Sequence, residues 1–159
     1  MVQKNRLKRS DFIFIESGDA FQPFQYSVGM EGSRFFAEIR DHKKFWGLRC
    51  PSCRKVYVPP RKICGPCFKT MEEWVEVGPM GTLSAFTILR FPFIDPETGE
   101  KKPVPYGYGF ILLDGASTQF QHFLKVDPDW PPSIGIRVKP VFAENRQGKL
   151  SDILHFEAA

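Results

Sequence analysis

No stretch of this chain approaches the roughly twenty consecutive apolar residues that a bilayer-spanning helix needs, although hydrophobic residues make up 42% of its 159 positions. Lys4 to Arg9 resembles the charged start of a signal peptide, but the apolar "FIFI" that follows is cut off by Glu16, so no signal core is expected. A cytoplasmic protein without membrane contact is the resulting expectation. Also missing are the G-x-S-x-G elbow, the H-E-x-x-H helix, the P-loop and the G-x-G-x-x-G fingerprint. "YGYGF" is a lone G-x-G with no third glycine and no helix after it. Only three histidines occur, His42, His122 and His155, far apart in sequence, and each reads first as a surface or packing residue. Four cysteines are present, and all of them fall between residues 50 and 67.

Those four are the informative feature. Cys50, Cys53, Cys64 and Cys67 form two C-x-x-C pairs separated by ten residues. Each pair lets two thiolates point at one ion from a tight turn, and two such turns supply the tetrahedral sulfur shell of a structural zinc site. Reduced thiols at this spacing point to metal rather than to disulfides. Catalytic zinc keeps one coordination position open, whereas four cysteines close the shell. The expected cofactor is therefore structural Zn2+, and with the thiols so engaged no catalytic residue stands out.

Charge is unevenly placed. Residues 40–69 hold nine Lys and Arg against Asp41 alone, a net +8, so the remainder carries −4 of the overall +4. A patch of one sign suits an anionic partner such as a phosphate, while any one of its cations reads equally as solvated surface.

The organisation along the chain follows. Residues 1–45 read as an arm followed by a short helix, in which Phe35, Phe36 and Ile39 recur at helical spacing from about Ser33, the expected N-cap, to Lys44. Residues 46–73 form the cysteine module. From 74 to 159 the pattern is that of strands: Gly81 to Phe91, Tyr106 to Gly115, Ser117 to Lys125 across a two-residue Gly115–Ala116 link, "GIRVKPVF", and "LSDILHFE". Along "GIRVKPVF", Ile136 and Val138 are expected inward, Arg137 and Lys139 outward. Five short strands after a metal module suit a small closed barrel of the OB type, with a sandwich-like arrangement as the alternative; in a barrel, the proline-rich link from Pro92 to Pro105, including Lys101 and Lys102, would lie beside the binding face.

Taken together, "KKFWGLRC", "CPSC", "VYVPPR", "CGPCF", "GTLSAFTI", "PYGYGFILLDG", "HFL" and "IGIRVKPVF" resemble the zinc-ribbon/OB-fold proteins associated with acyl-CoA metabolism, formerly a domain of unknown function. The likeness runs from about Tyr26 to Phe156, leaving the first 25 residues outside it as a candidate docking arm. It implies a mainly β fold: an N-terminal helical part, a rubredoxin-like ribbon and a five-stranded OB barrel. It also implies a non-catalytic subunit that forms a hetero-oligomer with a thiolase or thiolase-like enzyme and helps to bind the CoA part of an acyl-CoA. The "PFQYSVG", "SRFF" and "VYVPPR" segments are most similar to the versions paired with thiolases, including those acting on benzoylsuccinyl-CoA. On this reading zinc falls to Cys50, Cys53, Cys64 and Cys67. Lys43, Lys44, Arg54, Arg61 and Lys62 would meet CoA phosphates, with Phe35, Phe36 and Trp46 walling its slim pantetheine chain. Two alternatives come from other classes: a single-stranded nucleic-acid-binding module, since zinc ribbons and OB-folds both serve that role, and a small zinc enzyme, which would need an open metal site.

Overall fold

The structure is a computed structural model that describes residues 27–94, 99–101, 103–127 and 132–159. The arm expected over residues 1–25, and Lys102 of the proline-rich link, lie outside the described residues. No described helix is long and apolar enough to cross a membrane.

Helix α1 spans Gly29–His42 and begins a turn earlier than its sequence pattern suggests. Ser33 is not its N-cap. Its hydroxyl donates back to the Gly29 carbonyl at 2.6 Å, an i−4 bond available only inside a helix, and Ser27 Oγ accepts from the Gly29 N–H instead. The helix ends at Lys43 in the left-handed conformation, with the Lys43 and Lys44 amides closing on the carbonyls of Ile39 and Glu38.

Three strands follow. β1 (Phe45–Arg49) pairs antiparallel with β2 (Val56–Tyr57) on one side and β3 (Glu73–Val77) on the other. Alternation along β1 feeds two separate cores. Phe45, its cross-strand partner Val77, and Val56 join Phe35, Ile39, Leu83, Phe120 and Phe156 in the larger one. Leu48, with Tyr57, Met71, Cys50 and Cys64, forms the smaller one around the cysteines. Gly47 sits where β1 passes tightly beneath β2: a Cβ there would lie 2.8 Å from Tyr57 O, Val56 Cγ1 and Val58 Cγ2.

The remainder is a closed five-stranded barrel in the order β4-β5-β6-β8-β7, formed by β4 (Gly81–Leu89), β5 (Tyr106–Leu113), β6 (Phe120–Leu124), β7 (Arg137–Phe142) and β8 (Ile153–Ala158). Neighbours pair antiparallel except β6 and β8, whose bridge is parallel. This is the OB topology. Val138 is buried and Arg137 and Lys139 exposed, as the alternation predicts, with Ile136 packed against the core from just outside the strand. The G-x-G of "YGYGF" has a packing explanation: Gly107 and Gly109 occupy alternate positions of β5 that have no room for a side chain. A Cβ on Gly109 would lie 2.7 Å from Leu124 Cδ1 and 2.8 Å from Leu83 Cδ1. His122 is also structural, 2% exposed, its Nε2 2.6 Å from the Ile153 carbonyl oxygen and its ring packed on Phe120 and Phe156.

The β5–β6 connection is longer than the two-residue link expected at Gly115–Ala116. Ile111 pairs with Phe120, so residues 114–119 leave the barrel. They do so to complete the edge of the ribbon sheet. Ser117 N donates to Val56 O while its Oγ accepts from Val56 N, and Thr118 Oγ1 accepts from Val58 N and donates to Val58 O at 2.8 and 2.9 Å. Two hydroxyls thus satisfy the free edge of a two-residue strand.

Candidate metal centre

Each cysteine pair folds into the same turn. Cys50 N donates to Lys55 O and Arg54 N to Cys50 O; fourteen residues on, Cys64 N donates to Lys69 O and Phe68 N to Cys64 O. Both turns close through a residue in the left-handed region, Arg54 at φ 61° and Phe68 at φ 53°. That reversal turns both thiols of a pair to one side.

The four Sγ atoms lie within 4.8 Å of one another, and Cys53 Sγ is 3.7 Å from Cys64 Sγ. A tetrahedral zinc with Zn–S bonds of about 2.3 Å requires S···S edges of about 3.8 Å, so the donor set fits the ion. Cys50 and Cys64 are buried, Cys67 is half-buried and Cys53 faces solvent. Tyr57 points its hydroxyl at Cys64 Sγ from 3.4 Å. That hydrogen bond favours the thiolate and brings Cys64 down to about 6, while the same contact lifts Tyr57 to about 12. Cys67 moves the other way, to about 11, first through its hydrogen bond with Cys53 and then through burial. Crowded sulfurs resist carrying several negative charges by themselves, and a divalent cation supplies the charge that makes all four thiolates. With four sulfurs bound, the shell is closed: the site suits a structural zinc.

The basic surroundings are neutralised in part. Lys44 Nζ lies 2.8 Å from Glu76, Arg49 and Arg54 both engage Glu73, and Lys62 Nζ is 3.6 Å from Glu31 Oε1. The carboxylates come from α1 and β3, outside the 40–69 window, so a count within that window overstates the patch. Lys43 and Arg61 are exposed. Phe35, expected to wall a ligand site, cannot do so: it is 1% exposed and packs on Phe45 and Phe120 in the main core. Phe36, half-buried, packs against that same core.

Trp46 lies beside Arg34, which lines a different feature. Beside the zinc module, a shallow open groove of about 340 Å³ runs between α1 and the ribbon, lined by Met30, Arg34, Lys62, Met71 and Trp74 among others. The Arg34 guanidinium lies 4.3 Å from the ring centroid of Trp74 and 5.5 Å from that of Trp46. Of the expected CoA contacts, only Lys62 lines this groove. Arg34 escaped the sequence reading, although it stands four residues after Met30, one helical turn along the same face of α1.

Residues 37–72 match the ChsH2 rubredoxin-like zinc ribbon domain, and residues 74–143 the ChsH2 C-terminal OB-fold domain. A DUF35 domain-containing scaffold protein of Methanocaldococcus jannaschii is 26% identical over 110 residues, 69% of this chain and 74% of that protein. Two solved structures share the fold, each with a TM-score of 0.60 and 20% identity. One is a DUF35-family protein of unknown function from Sulfolobus solfataricus, covering 82% of this chain and 87% of that one. The other is an Ltp2–ChsH2(DUF35) aldolase, covering 84% of this chain and 98% of the matched one.

Proposed function

The chain belongs to the ChsH2-type (DUF35) zinc-ribbon/OB-fold family, and on that premise we propose that it is a non-catalytic accessory subunit of a thiolase-type enzyme, helping to bind the CoA part of an acyl-CoA and to organise the catalytic subunit. One observation carries this reading. Every thiol of the chain converges on a single closed metal shell, so thiolase chemistry, which needs a free nucleophilic cysteine, has to come from another polypeptide. The name scaffold protein on the archaeal relative, and the pairing of Ltp2 with a ChsH2(DUF35) chain in the aldolase, support a role exercised through a partner. Four unpaired cysteines fit a reducing compartment, hence a cytoplasmic place for the complex.

The nucleic-acid alternative draws less support. Lys44, Arg49, Arg54 and Lys62 already have carboxylate partners, which interrupts the continuous cationic track that single strands require.

Co-expression with a thiolase of the same organism, followed by size-exclusion chromatography and acyl-CoA turnover assays, tests the proposal. Co-elution, together with activity that depends on this chain, is expected. Separate elution with unchanged thiolase activity would overturn it.

A further inference from the structure

The groove between α1 and the ribbon contains a charge that no described residue pairs. Among the described residues Arg34 enters no ion pair and no hydrogen bond; its guanidinium is engaged only by stacking, over Trp74 and beside Trp46. A guanidinium attracted to ring faces makes no hydrogen bond to them in its plane, so its N–H donors stay available to an anion. The long side chain is thereby held before any ligand arrives, which removes part of the ordering cost of binding. Neither glutamate of the groove neutralises it: Glu31 engages Lys62, and Glu72 stands exposed in the lining. The apolar surface open to a ligand comes from the exposed Met30 and the half-buried Trp74 ring, with Leu48 and Met71 buried beneath them in the smaller core.

The geometry points to a phosphate-recognising subsite: Arg34 presents its donor fork to the phosphate of a phosphate ester whose slim apolar portion lies along Met30 and Trp74. A planar fork suits the two oxygens of a phosphate or carboxylate, and thioether side chains adapt to a flexible aliphatic chain. The choice of CoA as the phosphate ester rests on the reading in the preceding subsection; the subsite itself rests on Arg34 and the groove.

Trp74 and Trp46 supply the readout. The zinc-loaded full chain is titrated with CoA and, separately, with pantetheine, which lacks every phosphate, while tryptophan fluorescence is followed. CoA is expected to give a saturable change and pantetheine none. Arg34→Gln should weaken CoA binding by about tenfold or more, the loss of one or two charge-assisted hydrogen bonds. Arg34→Lys keeps the charge but not the fork, and should fall between the two. Lys139→Gln, on β7, controls for general charge. Zinc content and circular dichroism verify each fold; should Arg34→Gln lose its metal, Arg34→Lys decides. No response to CoA, equal responses to CoA and pantetheine, or Arg34 variants that bind like the parent would overturn the subsite. CoA binding that ignores Arg34 sinks this inference while the accessory-subunit reading stands. Failure to co-elute with a thiolase would sink that reading and leave the titration result intact.

Discussion

Phe68 pairs an unfavourable backbone with an unfavourable side-chain environment. It closes the second cysteine turn at φ 53° and is 81% exposed. Left-handed backbone costs a non-glycine residue about 1–2 kcal/mol, and no burial offsets it here. Phe68→Gly should therefore raise stability by about 1 kcal/mol, measured as a higher denaturant midpoint at unchanged slope. A lower midpoint would show that the ring packs favourably in solution. Gly47 predicts the opposite sign. Its Cβ position is already occupied by backbone and side-chain atoms of residues 56–58, so Gly47→Ala should cost about 1–3 kcal/mol by overpacking. An unchanged melting curve would contradict the tight β1–β2 approach.

At the scale of elements, the joints between ribbon, helix and barrel rest on a few polar side chains. Thr118 bonds both backbone groups of Val58, itself buried. Thr118→Val keeps the shape and strands that N–H, which should cost about 1–3 kcal/mol. Faster amide exchange at residues 56–58 is the measurement. On the opposite side, buried Asp152 accepts from the amides of Gln147, Gly148 and Lys149 at 2.7–3.1 Å, shaping the loop from which Arg146 donates to the Arg40 carbonyl near the end of α1. Asp152→Ala should cost about 2–3 kcal/mol and loosen α1 as well as the loop. From β7, Arg137 holds the carboxylate of Asp114, just past the end of β5, by two hydrogen bonds that set its pKa below the usual value. A depressed carboxyl contributes stability at neutral pH that is lost as pH falls through its folded value. The pair is exposed, so Asp114→Asn should cost less than about 1 kcal/mol at pH 7, and the gap should narrow in acid.

For the whole molecule, two cores imply two responses to metal loss. The smaller core consists of Leu48, Tyr57, Met71 and two of the cysteines, too little apolar material to hold a module without its ion. The larger core runs from α1 through β1 into the barrel and contains no cysteine. Chelation should expose amides of residues 50–71 to exchange while those of β5 and β6 stay protected. Simultaneous loss in both regions would mean that the ribbon and barrel unfold as one unit. Acid should release the metal as well, because protons compete for thiolates. Cobalt substitution should yield the spectrum of four thiolate ligands, and a spectrum with a solvent ligand would reopen the question of an open, catalytic site.

The metal module and the barrel strands were legible in the chain because both depend on short-range spacing. Two C-x-x-C pairs suffice to bring thiols together from local turns, and alternating burial marks a strand wherever one face meets a core. Three features depended on neighbours that are distant in sequence. Phe35 reads as an available aromatic until α1 docks and buries it among Phe45 and Phe120. The cations of residues 40–69 read as a patch until β3 and α1 bring Glu73, Glu76 and Glu31 against them. Ser117 and Thr118 read as strand residues until β2 presents an unpaired edge that their hydroxyls satisfy. Local spacing determined which groups can bind a metal and which segments form strands. Only the docking of helix on ribbon and ribbon on barrel decided which charges are cancelled, and among the described residues it left Arg34, over the Trp74 ring, without a carboxylate partner beside the groove.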